Sequence, residues 1–360
     1  MMEVLEHPGA HALMALLLTL LFCFVLTPVA RRFGWADEPD WRKQHEGSIP
    51  LAGGPAIVLA VFAVMMWVGG WSDATVVLGW SSAIVFVTGL VDDRQHIKVP
   101  LRFALQILAL LCMVWLGGVE LHNFGNLLWE RLLGLGPLAV PITVFSALGV
   151  INAFNMIDGM DGLSGSIALV ALAGLAFLAG RGGFVEEHNL LLVICAAVLG
   201  FLLLNFRFKG RENAHVFLGD SGSSWLGFVL AWYLIALSQD NPTAGVSRAY
   251  APVIAIWLFA LPLMDTIYVM TRRARLGDPI FGADRRHLHH LFLRSGFSVR
   301  QTWLAMVSAA LLMALVGILA ELRGWPEWAM FYAFMALSFS YLAWIDRAWK
   351  QRRFLGRAFQ

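Results

Sequence analysis

Residues 189–206 read NLLLVICAAVLGFLLLNF and contain no Asp, Glu, Lys, Arg or His. A helix needs roughly 20 mostly apolar residues to cross the hydrocarbon core of a bilayer. The apolar residues here are continuous and do not alternate with polar ones, which favours a membrane-spanning helix over a strand of a barrel. The composition extends this interpretation to the whole chain, because 59% of the 360 residues are hydrophobic and 14% are charged, against about 25% charged residues in soluble domains.

Similar apolar runs lie on both sides of this stretch, so the sequence predicts an all-α, polytopic integral membrane protein with about 11 transmembrane helices. The first run follows Glu3 and Glu6 and has no small-residue cleavage site after it, which predicts a retained span and not a signal peptide. The runs lie near residues 11–29, 51–70, 74–91, 101–119, 138–154, 163–180, 189–206, 216–238, 250–270, 302–321 and 326–345.

The basic residues orient these spans. On this topology, 22 of the 26 Lys and Arg residues lie on the side of the C-terminus and four lie on the other side. Cytoplasmic loops carry the excess of Lys and Arg, so we expect a cytoplasmic C-terminus and an N-terminus outside. We predict one membrane domain over residues 1–346 and a basic cytoplasmic tail over 347–360. The predicted inner loops are 30–50, 92–101, 155–162, 207–219 and 271–300.

Three motifs rich in carboxylates fall at this inner face. They are GLVDDRQHIKVPLRF (89–103), NAFNMIDGMDGLSGS (152–166) and HVFLGDSGSSWLGF (215–228). Four acids predicted at this face have an ordinary structural explanation when each is taken alone; Asp265 is one of them and lies outside the three motifs. Asp220 would suit the N-cap of a helix, Asp158 and Asp161 would suit a Gly-rich turn, and Asp265 would suit an ion pair with the arginines that follow it.

Taken together, the motifs indicate a site for a Mg²⁺-bound diphosphate at the inner membrane surface. Mg²⁺ prefers a few protein oxygens together with substrate phosphates, and Gly-rich turns at helix N-termini present backbone N–H groups to phosphate. Lys98 and Arg102 would add contacts to anions. Mn²⁺ is expected to substitute for Mg²⁺, since oxygen ligands suit both ions. The net charge of +2 gives no reason to expect a nucleic-acid partner.

The largest inner loop ends in DRRHLHHLFLRSGF (284–297). His287, His289 and His290 do not have the i, i+4 spacing of a helical zinc motif, and no cysteine lies nearby. The neighbouring Arg285 and Arg286 favour contact with a phosphate or diphosphate. A structural role within the loop is the alternative.

These motifs, in this order and topology, resemble the polyprenyl-phosphate N-acetylhexosamine-1-phosphate transferases, the glycosyltransferase 4 family of MraY and WecA type. The resemblance runs from about residue 30 to 300 and includes ADEPDWRKQHEGSIPLAGGPAIV (36–58). The HLHH form is similar to the WecA-type enzymes, which make lipid-linked N-acetylglucosamine. The MraY branch usually has three adjacent histidines followed by an acid, whereas Leu288 separates His287 from His289 here.

The resemblance implies a role for each matched residue. The implied metal ligands are Asp220 and Asn155. The implied catalytic carboxylates are Asp92, Asp93, Asp158 and Asp161. The implied substrate-binding residues are Lys98, Arg102, Asn152, Arg285, His287, His289 and His290.

The implied reaction transfers N-acetylglucosamine-1-phosphate from UDP-GlcNAc to undecaprenyl phosphate and releases UMP, as the first step of a cell-surface polysaccharide pathway such as O-antigen synthesis. Another UDP-N-acetylhexosamine or UDP-MurNAc-pentapeptide is the alternative donor, and a route through an aspartyl-phosphate is the alternative to direct transfer. A transporter is a distant alternative, because transporters place ionisable groups near the bilayer midplane. The implied location is the bacterial cytoplasmic (inner) membrane, with membrane lipid as a partner and a homodimer left open.

Overall fold

The computed structural model describes residues 7–37, 48–69, 71–128, 131–206, 214–240, 247–279 and 286–358. The described chain is mostly helical, with one two-residue antiparallel ladder, β1 (Ala36–Asp37) with β2 (Ile49–Pro50), and a non-helical segment between residues 116 and 135 that contains isolated β-bridges. It forms two compact units. The first unit is Met1–Asn123 with Gly134–Tyr250, and the second unit is Phe124–Leu133 with Ala251–Gln360. The single membrane domain over 1–346 stays a prediction.

The first unit is built around one central helix. Its helices are α1 (Pro8–Phe33), α2 (Gly53–Val68), α3 (Asp73–Gln95), α4 (Val99–Trp115), α5 (Ala139–Ile157), α6 (Leu163–Gly182), α7 (Val185–Asn205) and α8 (Gly219–Ala236). Helix α8 contacts α2, α3, α5 and α6, and its side chains are buried continuously from Ser221 to Ile235. A helix that is apolar all round and buried all round forms the core of such a bundle.

Glycines bring the backbones of α2 and α3 against the start of α8. A Cβ atom on Gly54 would lie 2.5 Å from the backbone of Leu218 and Gly222, and a Cβ atom on Gly89 would lie 2.5 Å from Cα of Ser221. Small residues permit such close approach between membrane helices. The N-terminus of α8 is therefore fixed against two neighbouring helices without intervening side chains.

The second unit contains α9 (Pro252–Leu258), α10 (Ala260–Leu276), α11 (Leu288–Arg294), α12 (Val299–Leu322) and α13 (Glu327–Ala358). The apolar run 250–270, predicted as one span, is α9 and α10 with a bend of 79° between them. Pro262 lies in the first turn of α10. A proline there has no N–H to donate to the preceding turn, so α9 cannot continue through it as a straight helix.

The all-α, polytopic membrane architecture is confirmed. Seven described helices are long and apolar enough to cross a membrane, and the bent pair α9 and α10 would make eight. The three other predicted runs correspond to α2, α4 and α8, which have 16, 17 and 18 residues. Large apolar side chains such as Trp67, Trp80 and Phe145 are about three-quarters exposed, as expected for surfaces that face lipid. The predicted tail boundary at 346 falls inside α13.

Candidate active site

Asp220 lies in the first turn of α8, and Asp93 caps that helix from α3. Oδ1 of Asp93 accepts a hydrogen bond from the backbone N–H of Asp220 (2.6 Å), and Oδ2 accepts one from the N–H of Ser221 (3.1 Å). The first N–H groups of a helix have no partner within it, and they favour a negative charge. Asp93 therefore takes the capping role that the sequence offered to Asp220, and the Asp220 side chain is available for other contacts. The N-cap alternative for Asp220 is wrong.

Asn155 holds the Asp220 carboxylate. It lies in the last turn of α5, and its Nδ2 donates to Oδ1 of Asp220 (2.6 Å) and to Oγ of Ser223 (3.0 Å). No described residue donates a hydrogen bond to Oδ2 of Asp220. The structure thus brings together the two residues predicted as metal ligands, and it leaves one carboxylate oxygen of Asp220 for a further partner.

The turn between α5 and α6 carries the other two acids. Asp158 ends α5, and its Oδ1 accepts a hydrogen bond from Oγ of Ser164 (2.5 Å). Burial raises the pKa of Asp158 to about 7; the Ser164 hydrogen bond lowers it, and the charges of Asp220, Asp93 and Asp161 raise it further. We call Asp93, Asp158, Asp161 and Asp220 the acidic cluster, because their charges act on one another. Asp158 also ends a helix, so the turn-forming explanation and membership of the cluster both hold for it.

Asp92, the neighbour of Asp93, points to a different element. Its Oδ2 forms an ion pair with NH1 of Arg102 in the first turn of α4 (3.1 Å), and its Oδ1 accepts from the N–H of Ile97 (2.8 Å). His96 adopts a left-handed conformation between them, with φ of 48°. The adjacent carboxylates thus diverge, with Asp93 on α8 and Asp92 on α4. Lys98 is exposed at the N-cap position of α4.

Asn152 makes its contacts away from Asp220. Its Nδ2 donates to the carbonyl oxygen of Leu148 (2.8 Å) within α5 and lies 3.5 Å from Oε1 of Gln106 in α4. The contact with Gln106 joins α4 and α5. The structure therefore does not bring Asn152 to the acidic cluster through a hydrogen bond, and its substrate-binding role stays a prediction.

In the second unit, the histidine motif (His287, His289 and His290) begins at a buried carboxylate. Oδ2 of Asp265 lies 2.9 Å from Nδ1 of His287, and Oδ1 accepts hydrogen bonds from the N–H of Leu288 (3.0 Å) and the hydroxyl of Tyr341 (2.9 Å). The partner of Asp265 is thus His287, and the predicted ion pair with the arginines is wrong. Arg285 lies outside the described residues.

His289 differs from its neighbours in burial. It is 1% exposed, and neither ring nitrogen has a partner among the described residues. Its ring is parallel to that of His287 at 5.9 Å. Burial holds the pKa of His289 well below its usual range, and the charges of His290 and His287 add to the effect. His289 is therefore a neutral ring inside the second unit.

Comparison with known proteins gives matches over the part of the chain that contains these residues. The glycosyl transferase family 4 pattern matches residues 74–238. An undecaprenyl-phosphate alpha-N-acetylglucosaminyl 1-phosphate transferase of Escherichia coli (strain K12) is 37% identical over 349 residues, covering 95% of this chain and 92% of that protein. Enzymes of the same name from Yersinia pestis and Haemophilus influenzae are 36% and 34% identical over 345 and 337 residues, or 95% and 94% of this chain. This chain belongs to glycosyl transferase family 4.

The family's matched segment contains the whole acidic cluster, whose donor set fits a Mg²⁺ ion. Asp93, Asp158 and Asp220 have no Lys, Arg or His partner within the described part of the chain. Also within that part, no three or more His, Cys, Asp or Glu side chains are grouped as ligands of one ion. Mg²⁺ is usually held by one or two carboxylates and completes its shell with water and phosphate.

The family resemblance did not reveal several polar residues that support this site. Asn205, at the end of α7 and 5% exposed, accepts a hydrogen bond at Oδ1 from the N–H of Gly162 (2.6 Å) and donates from Nδ2 to the carbonyl oxygen of Val216 (2.8 Å). It joins the turn of Asp158 to the segment that enters α8. The sequence did contain a signal for Asn205. This Asn lies near the end of the apolar run 189–206, and polar side chains in such runs are costly unless they form hydrogen bonds. Ser164 and Ser223 carried no comparable signal.

Proposed function

We propose that this protein transfers N-acetylglucosamine-1-phosphate from UDP-GlcNAc to undecaprenyl phosphate and releases UMP. The observation that carries the proposal is the acidic cluster at the N-terminus of α8, in which three carboxylates have no cationic partner among the described residues. Relatives at 34–37% identity over most of the chain bear the name of this reaction. A diphosphate with its metal ion is a ligand of complementary charge.

Asp220 and Asn155 are the residues that would hold Mg²⁺. When bound, Mg²⁺ neutralises charge on the diphosphate and on the departing UMP. Asn155 fixes the orientation of Asp220 through the 2.6 Å contact, and Asp93 fixes the helix turn that carries it. Asp158 and Asp161 lie in the turn before α6, and the charges of Asp220, Asp93 and Asp161 act on the Asp158 carboxyl. The side chains thus orient the reacting groups more than they provide covalent chemistry.

The acceptor phosphate attacks the phosphorus that carries the sugar, and Asp92 or Asp93 takes or orients its proton. The two carboxylates have different surroundings. Asp92 forms an ion pair with Arg102, whereas Asp93 accepts hydrogen bonds from the backbone N–H groups of Asp220 and Ser221. Direct transfer is proposed over an aspartyl-phosphate route, because phosphoryl transfer depends on positioning and charge neutralisation more than on covalent participation of the protein.

The proposed setting is the bacterial inner membrane, with 11 spans, the N-terminus outside and the C-terminus cytoplasmic. The division of Lys and Arg residues supports this orientation. It would place the acidic motifs on the side where a nucleotide sugar is dissolved. A fluorescent-protein fusion at the C-terminus, which matures only in the cytoplasm, tests it. A homodimer stays an expectation, to be tested by the mass of the purified protein in detergent.

The decisive experiment incubates purified protein with undecaprenyl phosphate, Mg²⁺ and a panel of UDP-sugars. Release of UMP with UDP-GlcNAc, and much less with UDP-GalNAc or UDP-MurNAc-pentapeptide, is the expected result. Release of UMP with a different donor would keep the reaction type and replace the substrate. Release of UDP would identify an ordinary glycosyltransferase and overturn the proposal.

A further inference from the structure

Asp265 is a buried acid outside the acidic cluster, and three elements of the second unit meet on it. It is 1% exposed in α10, and it receives one hydrogen bond from His287 at 2.9 Å, one from the N–H that opens α11 at 3.0 Å and one from Tyr341 of α13 at 2.9 Å. A carboxylate taken out of water must have its oxygens hydrogen-bonded. These three donors supply that, so the position of Asp265 is strongly determined.

The geometry determines which nitrogen of His287 carries the proton. An ionised carboxylate can only accept hydrogen bonds, so Nδ1 of His287 must donate to Oδ2 of Asp265. In the neutral ring, Nε2 is then left with a free lone pair. No described residue hydrogen-bonds Nε2 of His287, which is 4% exposed. His287 thus presents one defined acceptor.

We propose that Asp265, held in turn by Tyr341, is a positioning residue for His287, and that Nε2 of His287 accepts a hydrogen bond from an O–H or N–H group of the sugar-nucleotide donor. This inference rests on the proposed function. The acceptor tautomer selects a hydrogen-bond donor of the ligand, such as a sugar hydroxyl or an amide N–H. Nε2 in this form cannot donate to a phosphate oxygen. The residue therefore contributes to recognition of the donor and not to neutralisation of its charge.

Asp265→Asn is the informative variant, because it keeps the shape of the site. The amide oxygen can still accept from Leu288 and Tyr341, while the amide nitrogen takes the place of Oδ2 and donates to Nδ1 of His287. The ring must then carry its proton on Nε2. We expect kcat/KM for the UDP-sugar to fall by roughly 10–100-fold, as for other residues that orient a ligand-binding histidine. Asp346→Asn, which removes an exposed acid paired with Lys350 in α13, is the matched control and should change nothing.

A double-mutant cycle separates positioning from a purely structural role. In a His287→Ala background, Asp265→Asn should cost less than about twofold, because its effect acts through the missing ring. Equal losses in both backgrounds would show that Asp265 acts independently of His287 and would overturn the inference. Full transfer activity in His287→Ala would overturn it as well.

The tautomer can be measured without any activity. Spectra of ¹⁵N-histidine-labelled protein, with His287→Gln to assign the signal, should show Nδ1–H and a bare Nε2 in the wild type and the reverse in Asp265→Asn. A wild-type ring protonated at Nε2, or at both nitrogens, would refute the assignment whatever the protein transfers. If the tautomers are as expected and the wild type releases no UMP from any UDP-sugar, the proposed function fails, and with it the role of Nε2 toward this donor.

Discussion

The acidic cluster of the first unit and Asp265 of the second unit differ in how their carboxylate oxygens are hydrogen-bonded. Asp220 has one oxygen held by Asn155 and one without a partner among the described residues, whereas both oxygens of Asp265 are occupied by three donors. Several nearby carboxylates, with a spare oxygen on Asp220, suit a bound cation. A single, fully bonded carboxylate can orient its neighbours without one. The comparison distinguishes acids proposed to bind a metal ion from an acid proposed to position a side chain.

Removal of divalent metal should have the largest effect on activity, and it should act on the acidic cluster and not on the surroundings of Asp265. With EDTA, UMP release should fall to background, because the acidic cluster and the diphosphate are then both without a neutralising cation. Mg²⁺ or Mn²⁺ should restore it. The histidine tautomer at His287 should be the same with and without metal. Protein shown to be metal-free by mass spectrometry and still fully active would mean that the cluster works without a cation.

Asp220→Asn should have the next largest effect. We expect UMP release to fall roughly 10³-fold at saturating UDP-GlcNAc, the scale for loss of a group that stabilises developing charge. The fold should persist, since Asp93 bonds to the backbone of residue 220 and not to its side chain. Thermal unfolding checks the fold, and Asp240→Asn, an exposed acid of the same unit, serves as control. Normal turnover at low Mg²⁺ would remove Asp220 from the metal site.

Asn155→Ala should reduce transfer by roughly 10–100-fold, because residues that orient a metal ligand contribute on this scale. The concentration of Mg²⁺ that gives half-maximal activity should rise. Asn152→Ala is the matched comparison one turn earlier on α5, and it should leave that Mg²⁺ concentration unchanged. An equal change in both variants would show that α5 contributes by packing and not by holding Asp220.

Asn205→Ala should lower stability as well as rate. The variant removes the hydrogen bond to the N–H of Gly162 and the one from Nδ2 to the carbonyl oxygen of Val216, and each is expected to cost about 1 kcal/mol of stability or more. Activity should fall roughly tenfold, as for other supporting residues. Asn205→Asp keeps the acceptor for Gly162 and loses the donor to Val216. Unchanged unfolding temperatures for both variants would contradict the bracing role assigned to Asn205.

Tyr341→Phe should have the smallest effect, because Asp265 keeps two of its three donors. A loss of about 1 kcal/mol in stability is expected for one hydrogen bond, with a change in kcat/KM of a few-fold at most. Tyr332→Phe, on the same helix and 52% exposed, is the control. A loss as large as that of Asp265→Asn would mean that Tyr341 is essential to the position of the carboxylate.

The sequence predicted the helices best where one property, apolarity, extends over a long stretch of residues. Every apolar run corresponds to a helix or to the bent pair α9 and α10, since continuous apolarity depends on no distant partner. The bend itself was missed. Pro262 signalled it, but the apolar run continues through Phe259 and reads as a single span.

The contacts within the site could not be predicted in the same way. The motifs identified Asp93, Asn155 and Asp220 as relevant residues, yet the cap of α8 joins residues 127 positions apart. The Asp265 partners are 22 and 76 positions away. Hydrogen bonds over such separations depend on how helices pack, here on the glycines of α2 and α3. No local propensity encodes them.

The cap that Asp93 provides to α8 has a genetic consequence. The same carboxylate caps the central helix of the first unit and, in the proposed mechanism, lies beside the reacting groups, so a change at this position should alter folding and turnover together. A screen for stable but inactive proteins should therefore recover substitutions of Asp220 readily and substitutions of Asp93 seldom. For an inhibitor that binds the acidic cluster, Asp93 would then be a poor position for resistance to arise.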